Sequence, residues 1–304
     1  MVQIGLRAHD YGKNVSPEDL AEILAPYKPA SIQLELAKAL SGVPCYGGIN
    51  PGFGRYVRQV LEQRNISIAV LSCDINPVFP DPQERENQLR KFEEHLFYAR
   101  DFGCALVGTQ TGSCSADGSF HPGAEKPGAF DLFCSSLERL LKTAEKCGAI
   151  VAIEAAADLR TVSSIEKMEQ VLRRLASPAL KIIYNPANLI PGAGLSESQE
   201  QFFTRAFDTF GNEIAAVYAG DFRMEGGKKN GALPAGTGEL DYAALLRIIA
   251  ERKPGLDVLL EDTSPDSGIK AMDFLRRAGG GELKVKTIQN TSPGEPAIRW
   301  FADA

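Results

Sequence analysis

Short apolar runs rich in β-branched residues alternate along the chain with longer amphipathic stretches, from the first residues almost to the end. The runs predict eight strands, at Val2–Ala8, Ser31–Leu36, Ser67–Leu71, Ala105–Gly108, Ile150–Ile153, Lys181–Tyr184, Ala215–Tyr218 and Val258–Leu260. Between them the helical spacing predicts Pro17–Ala25, Arg85–Phe102, Phe130–Cys147, Ser164–Leu175, Ser196–Phe210 and Tyr242–Glu251. Ser16-Pro17-Glu18-Asp19 reads as a helix start: a capping serine, proline at the first helical position, and acids where the helix dipole favours them. Ser196-Glu197-Ser198-Gln199 reads as a second start, with glutamine three residues after the serine. Gly103 and Gly148 stand where a left-handed cap closes a helix ahead of the next strand.

Eight repeats of strand then helix in one chain imply a parallel sheet closed into a barrel rather than an open, doubly wound sheet. A nucleotide-binding open sheet wants a glycine-rich turn after its first strand, and His9-Asp10-Tyr11-Gly12 stands there instead. The later Gly47–Gly54 stretch follows no strand and reads as a loop over the barrel mouth. One (β/α)8 barrel domain is therefore expected over residues 1–278. Residues 279–304, opening on Gly279-Gly280-Gly281, are expected to form a C-terminal extension packing on or trailing from the barrel.

Charge narrows the partners. A formal charge of −6 with no long basic block disfavours nucleic acid and anionic membrane surfaces. No run approaches the ~20 apolar residues of a membrane span, and MVQIGLRAHD lacks the features of a signal peptide, so a cytoplasmic location is expected. The six cysteines (Cys45, Cys73, Cys104, Cys114, Cys134, Cys147) form no C-x-x-C pair and read as reduced small hydrophobes. Only His9, His95 and His121 supply imidazoles, which excludes a histidine-rich multinuclear metal centre. His95, inside a helical pattern, reads as a surface or packing residue, and His121 as a solvated loop residue.

In a closed parallel barrel, polar residues at the carboxyl ends of strands converge on one mouth. Here they are His9 and Asp10, Glu35 and Lys38, Cys73 and Asp74, Gln110 and Thr111, Glu154, Asn185 and Asn188, Tyr218 and Asp221, and Glu261 and Asp262. Glu154 and Glu261 each end an apolar run directly, a costly place for a carboxylate unless it meets a cation, a donor or a shared proton. Pairing with Lys38 or Arg7 is the plain structural alternative for either. Lys38 is expected to pair with Glu35, and Lys228-Lys229 beside Gly226-Gly227 to be a solvated loop.

Arg7-Ala8-His9-Asp10, the run from Gly148 to Glu154, and Ile183-Tyr184-Asn185-Pro186-Ala187-Asn188 together resemble the xylose isomerase-like TIM barrel superfamily, the sugar phosphate isomerase and epimerase group. Val217-Tyr218-Ala219-Gly220-Asp221, followed by the run from Pro234 to Tyr242 and by Val258-Leu259-Leu260-Glu261, is the most specific part of that resemblance. The resemblance implies a metal site with a glutamate from strand five, an aspartate from strand six, a histidine from strand seven and a glutamate from strand eight. Glu154 and Glu261 match, while Asn185 and Tyr218 stand at the aspartate and histidine positions. Losing the only nitrogen donor penalises zinc, nickel and cobalt most. Manganese or magnesium on Glu154, Asn185 and Glu261 stays open as a weaker cofactor. The endonuclease branch of the superfamily, with its histidine-rich zinc site, does not fit this chain.

The resemblance implies a sugar or keto-sugar isomerase or epimerase working through an enediolate, with Glu154 and Glu261 as the acid–base pair. His9, Gln110, Asn188, Tyr218 and Asp221 are the candidate substrate contacts. A second reading is a carbon-glycoside-cleaving lyase subunit acting on 3-keto sugars with a small partner subunit, the stretches Pro44–Phe53 and Gly112–Gly128 covering an aglycone or docking the partner. A third is a non-catalytic barrel that binds a sugar or serves a structural role. A homodimer through the outer helices is open under each.

Overall fold

The computed structural model describes residues 2–43, 47–117, 119, 121–158 and 160–280. Seven strands follow in chain order: β1 (Gln3–Arg7), β2 (Ser31–Glu35), β3 (Ser67–Ser72), β4 (Leu106–Gln110), β5 (Ile150–Glu154), β6 (Leu180–Tyr184) and β7 (Ile214–Glu225). After β8 (Lys228–Pro234), the eighth stave is β9 (Asp257–Leu260). Neighbouring staves pair in parallel, and β9 closes the barrel by pairing Val258 with both Ile4 of β1 and Val217 of β7. All eight predicted strands lie on these staves. β2 and β5 are buried along almost their whole length, as expected of strands covered on both faces.

The helices are α1 (Pro17–Leu24), α2 (Leu36–Ala39), α3 (Pro51–Glu62), α4 (Pro82–Tyr98), α5 (Pro127–Cys147), α6 (Ile165–Leu175), α7 (Pro186–Leu189), α8 (Gln199–Phe210), α9 (Tyr242–Arg252) and α10 (Pro265–Ala278). Ser16 caps α1 as its sequence predicts, its hydroxyl accepting the Asp19 N–H at 3.0 Å. α8 buries Phe202, Phe203, Phe207 and Phe210, and Phe207 and Phe210 meet Tyr184 of β6 edge to face. No described helix is long and apolar enough to cross a membrane.

Three local readings change. The stretch expected to loop over the mouth contains the start of α3: Asn50 accepts the Phe53 N–H at 3.0 Å and Pro51 opens the helix. Its glycines look loop-like, but Gly54 is there for space, since a Cβ would stand 2.8 Å from the Asp101 side chain. The capping box of α8 is Ser198 with Gln201, two residues beyond the Ser196 start. Lys228 and Lys229 belong to β8, which forms an antiparallel hairpin with the far end of β7. Gly226 and Gly227 make its two-residue turn, both at positive φ (57° and 78°), the geometry that glycine pairs favour. Residues 281–304, most of the expected C-terminal extension, and Pro44, Cys45 and Tyr46 lie outside the described residues.

Candidate functional site

The strand ends converge as the barrel requires. A small polar pit of about 60 Å³ opens at the carboxyl end of the barrel axis, lined by Arg7, His9, Gln33, Lys38, Ser72, Asp74, Gly108, Thr109, Gln110, Glu154, Ile183, Tyr218 and Glu261. Gly108 and Gln110 are two residues apart on β4 and so share the inward face.

Glu154 and Glu261 reach this pit almost fully buried, 5% and 6% exposed. One amide bridges them: Asn185 Nδ2 donates to Glu154 Oε1 and to Glu261 Oε2, each at 2.9 Å. The accepting oxygens therefore stand less than about 6 Å apart, close enough for strong coupling. Asn188 Nδ2 adds a second amide bond to Glu154 Oε1 at 2.8 Å. Burial pushes the Glu154 carboxyl up to about 7 against the pull of these amides, with Asp74 adding to the rise. Burial and the nearby Glu154 charge push Glu261 well above the usual carboxylate range, although Arg7 pulls the other way. The pair titrates as a unit that holds a shared proton near neutrality.

The orientation of the bridging amide follows from local backbone. Asn185 is the N-cap of α7, and its Oδ1 accepts the Asn188 N–H at 3.1 Å. The cap claims the oxygen, so the NH₂ group must face the two glutamates. Arg7 stands on the other side of Glu261. Its guanidinium donates to Glu261 Oε1 at 3.2 Å, to Asp10 Oδ1 at 2.9 Å and to Asp262 Oδ1 at 2.8 Å. This is the Arg7 alternative foreseen for Glu261, and here it lies within the cavity wall.

The remaining candidates divide. His9 lines the pit, its Nδ1 buried with no protein partner among the described residues. Burial and the Arg7 charge lower its pKa to about 4, leaving a neutral imidazole at pH 7. Tyr218 lines the pit with its hydroxyl 3.4 Å from Ser72 Oγ, and burial together with Glu261 holds its proton on well above pH 10. Gln110 lines the rim and accepts a hydrogen bond from Arg160. Asn188 faces Glu154 as described. Asp221 is not brought to the pit. Its carboxylate accepts the backbone N–H groups of Phe222, Gly236, Gly238 and Leu240 at 2.8–3.0 Å, holding the turn after β8. Lys38 bridges Glu35 at 2.7 Å and Asp74 at 2.9 Å.

Gln33, Ser72 and Arg160 escaped sequence reading. Gln33 Nε2 donates to Ser72 Oγ at 2.8 Å behind Tyr218. A polar residue inside an otherwise apolar strand was the signal for Gln33, whereas a loop arginine such as Arg160 carries none. His95 is a packing residue, buried with Nδ1 2.8 Å from the Lys91 carbonyl. His121 accepts the Gly123 N–H within its own loop. Cys73, Cys104, Cys114, Cys134 and Cys147 are free thiols.

A divalent cation on this donor set would need acceptors converging on one point. The Asn185 oxygen is turned away by its capping bond, and its amide hydrogens occupy the space between the carboxylates. Tyr218 offers a protonated phenol, and Arg7 already brings positive charge to Glu261. These residues do not fit manganese or magnesium, in contrast to the Glu154, Asn185 and Glu261 ligand set left open above.

A profile described as xylose isomerase-like TIM barrel matches residues 4–278. No curated protein matches the chain significantly. Among solved structures, the chain is similar to 3-keto-D-glucoside 4-epimerase from E. coli, at TM-score 0.68 and 13% identity over 91% of this chain and 100% of that one. D-psicose 3-epimerase from Clostridium cellulolyticum H10, solved with D-tagatose, superposes at 0.69 and 12% identity over 91% and 99%. A xylose isomerase-like TIM barrel protein from Mycobacterium smegmatis in complex with magnesium superposes at 0.68 and 14% identity over 92% and 97%. At these identities the likeness speaks for the fold alone.

Proposed function

The chain belongs to the xylose isomerase-like TIM barrel family, and from that premise we propose that it is a sugar isomerase or epimerase that moves a proton next to a carbonyl between Glu154 and Glu261. The observation that carries this reading is the pair of buried carboxylates bridged by one amide at the floor of a polar pit. At neutral pH the pair shares a proton, so one member is a base while the other is an acid. The base takes the proton from the carbon beside the carbonyl, the C–H electrons form the enediolate, and the acid returns a proton to one of its carbons. The small-carbohydrate substrate also has preference in the names of two neighbours, both epimerases of sugars.

Other groups are placed to hold charge rather than to move protons. Arg7 sets a fixed positive charge beside Glu261 and lines the pit, where it offsets the growing oxyanion. Neutral His9 and protonated Tyr218 present hydrogen-bonding groups to substrate oxygens. The Asn185 amide keeps the two carboxylates apart and in register. No step requires a metal.

The test is solvent exchange in heavy water with chelator-treated protein and a panel of ketoses and 3-keto sugars, followed by proton NMR. Deuterium should appear at the carbon next to the carbonyl of at least one sugar, without added metal. No exchange from any sugar, with or without manganese, would leave the non-catalytic barrel as the better reading.

A further inference from the structure

Across the pit from the glutamates runs a short chain of buried polar side chains. Gln33 of β2, Ser72 of β3 and Tyr218 of β7 all line the pit and are all buried. Gln33 Nε2 donates to Ser72 Oγ at 2.8 Å, and Ser72 Oγ stands 3.4 Å from Tyr218 Oη. Gln33 Oε1 is buried without a partner among the described residues, a loss of stability that an apolar side chain at this strand position would avoid. A strand that gives up stability in the wall of a cavity marks a position held for function.

The bonding partners fix the direction of this chain. Ser72 Oγ spends one lone pair on the Gln33 amide. Its own hydrogen needs an acceptor, and among the described residues the Tyr218 oxygen is the remaining group within hydrogen-bond distance. With Tyr218 donating to Ser72 instead, the serine hydrogen would be buried with nothing to receive it. In the order Gln33, Ser72, Tyr218 each group donates to the next, and the phenol hydrogen is left to point into the pit. Each accepted bond polarises the next donor, so the phenol at the end of the chain is a stronger donor than a lone tyrosine.

Space stays open in front of that hydroxyl. Gly108 pairs with Ser72 between β3 and β4 and lines the pit. A Cβ on it would stand 3.8 Å from Tyr218 Oη, and 2.7 and 2.8 Å from the Ile183 and Val70 side chains. The wall beside the phenol is therefore bare backbone. Burial and the charge of Glu261 keep the phenol protonated, which makes it a donor and not a base. A neutral donor aimed into a buried site that also holds a proton-moving pair is placed to meet an oxyanion.

We infer that Gln33 and Ser72 are positioning residues that aim the Tyr218 hydroxyl into the pit, where Tyr218 is the catalytic residue donating to the carbonyl oxygen as it becomes the enediolate oxyanion. This rests on the proton-transfer function above and names the residues that set its oxyanion donor. The carbon-bound proton goes to the carboxylate, its electron pair forms the C=C bond, and the C=O π pair moves onto oxygen. Tyr218 keeps its own proton, and its hydrogen bond strengthens as that oxygen gains charge.

Neutron diffraction from crystals of the deuterated full chain tests the direction. The Ser72 deuteron should lie toward Tyr218 Oη and the Tyr218 deuteron toward the pit, and a Tyr218 deuteron lying toward Ser72 overturns the proposal. Exchange kinetics in heavy water, on the sugar of the panel that exchanges fastest, test the role. Tyr218→Phe should lower kcat by about 10²–10³-fold, the usual effect of losing one oxyanion donor. Gln33→Met and Ser72→Ala should each lower kcat by about three- to tenfold, the equivalent of one hydrogen bond, with KM within about twofold. Placed in Tyr218→Phe, the same two substitutions should change kcat by less than about twofold, because their effect passes through the phenol. A loss that persists in Tyr218→Phe, as a packing role would give, or an unchanged kcat in both single variants, overturns the proposal. Deuterons placed as expected, without exchange of any sugar, defeat the proton-transfer function and with it the catalytic role of Tyr218, while the aiming of its hydroxyl by Gln33 and Ser72 stands.

Discussion

Glu261, directly after β9, and Asp221, in β7 where that strand leaves the barrel to pair with β8, are both buried carboxylates, 6% and 1% exposed, and both follow apolar runs. Asp221 is met by four backbone N–H groups at 2.8–3.0 Å and does not line the pit. Glu261 is met by one side-chain amide and one guanidinium and lines the pit. The donors explain the difference. Four fixed backbone donors satisfy the carboxylate and tie it to the turn they belong to. A single neutral amide shared with a second carboxylate leaves both carboxyl groups underprovided with donors, and the pair holds a proton between them. The same sequence signature thus yields one structural staple and one candidate catalyst, and the identity of the donors sorts them.

The largest effects are expected where this contrast is broken at the glutamates. Glu154→Gln and Glu261→Gln should each lower substrate proton exchange by about 10²–10⁴-fold, the usual contribution of a positioned acid or base. At pH 8 neither should lower the melting temperature, since a glutamine avoids the cost of burying a charge. A glutamine variant that melts well below wild type, with exchange per folded molecule intact, would place Glu261 in the same class as Asp221.

Asp221→Ala probes the other side. It leaves four buried or half-buried N–H groups without an acceptor, and the expected loss of stability is about 3–5 kcal/mol. In a domain of this size that is a fall in Tm on the order of 10 °C by calorimetry. Asp221→Asn should cost less, because one carbonyl oxygen still accepts. A melting temperature unchanged in the alanine variant contradicts the staple.

Asn185→Asp asks what separates this pit from a metal site. The substitution replaces the donating NH₂ by an oxygen and puts three carboxylates together. Manganese should then stabilise the variant by about 2–3 kcal/mol at a hundredfold excess over its dissociation constant, and wild type far less. Adding Tyr218→His should deepen the response, through a nitrogen donor. Thermal shifts with and without manganese read this directly, and equal shifts in wild type and variant would refute the bridging-amide account.

The barrel was legible because its signal is repeated eight times: short apolar runs such as Val151–Ile153 and Val258–Leu260, alternating with amphipathic stretches, read as strands buried on both faces. What escaped was local chemistry that cancels in composition. Gly226 and Gly227 read as loop, but positive φ at both is a hairpin turn, and the fold continues β7 through it. Gly52 and Gly54 masked a helix whose close contact needs the missing Cβ. Within the site, sequence position located Glu154, Asn185 and Glu261 at one mouth, yet the direction of the Asn185 amide depends on the capping bond of a four-residue helix. Asp221 was expected among substrate contacts because a carboxylate after a strand looks alike whether backbone or substrate supplies its donors.

The smallest effect concerns acidity. Burial lifts the Glu154 pKa to about 7 in the folded protein, against about 4.3 in an unfolded chain. Between these values the folded state binds more protons than the unfolded state, so stability falls as pH rises through this window. Glutamine at position 154 removes that titration and also relieves Glu261 of its repulsive neighbour. Wild type should therefore match or exceed Glu154→Gln in stability at pH 4.5 and fall behind it by pH 8, by something on the order of 1–3 kcal/mol. Melting curves of the two proteins across pH 4.5–8 measure it, and parallel curves would mean that Glu154 carries its charge in the fold as easily as in water.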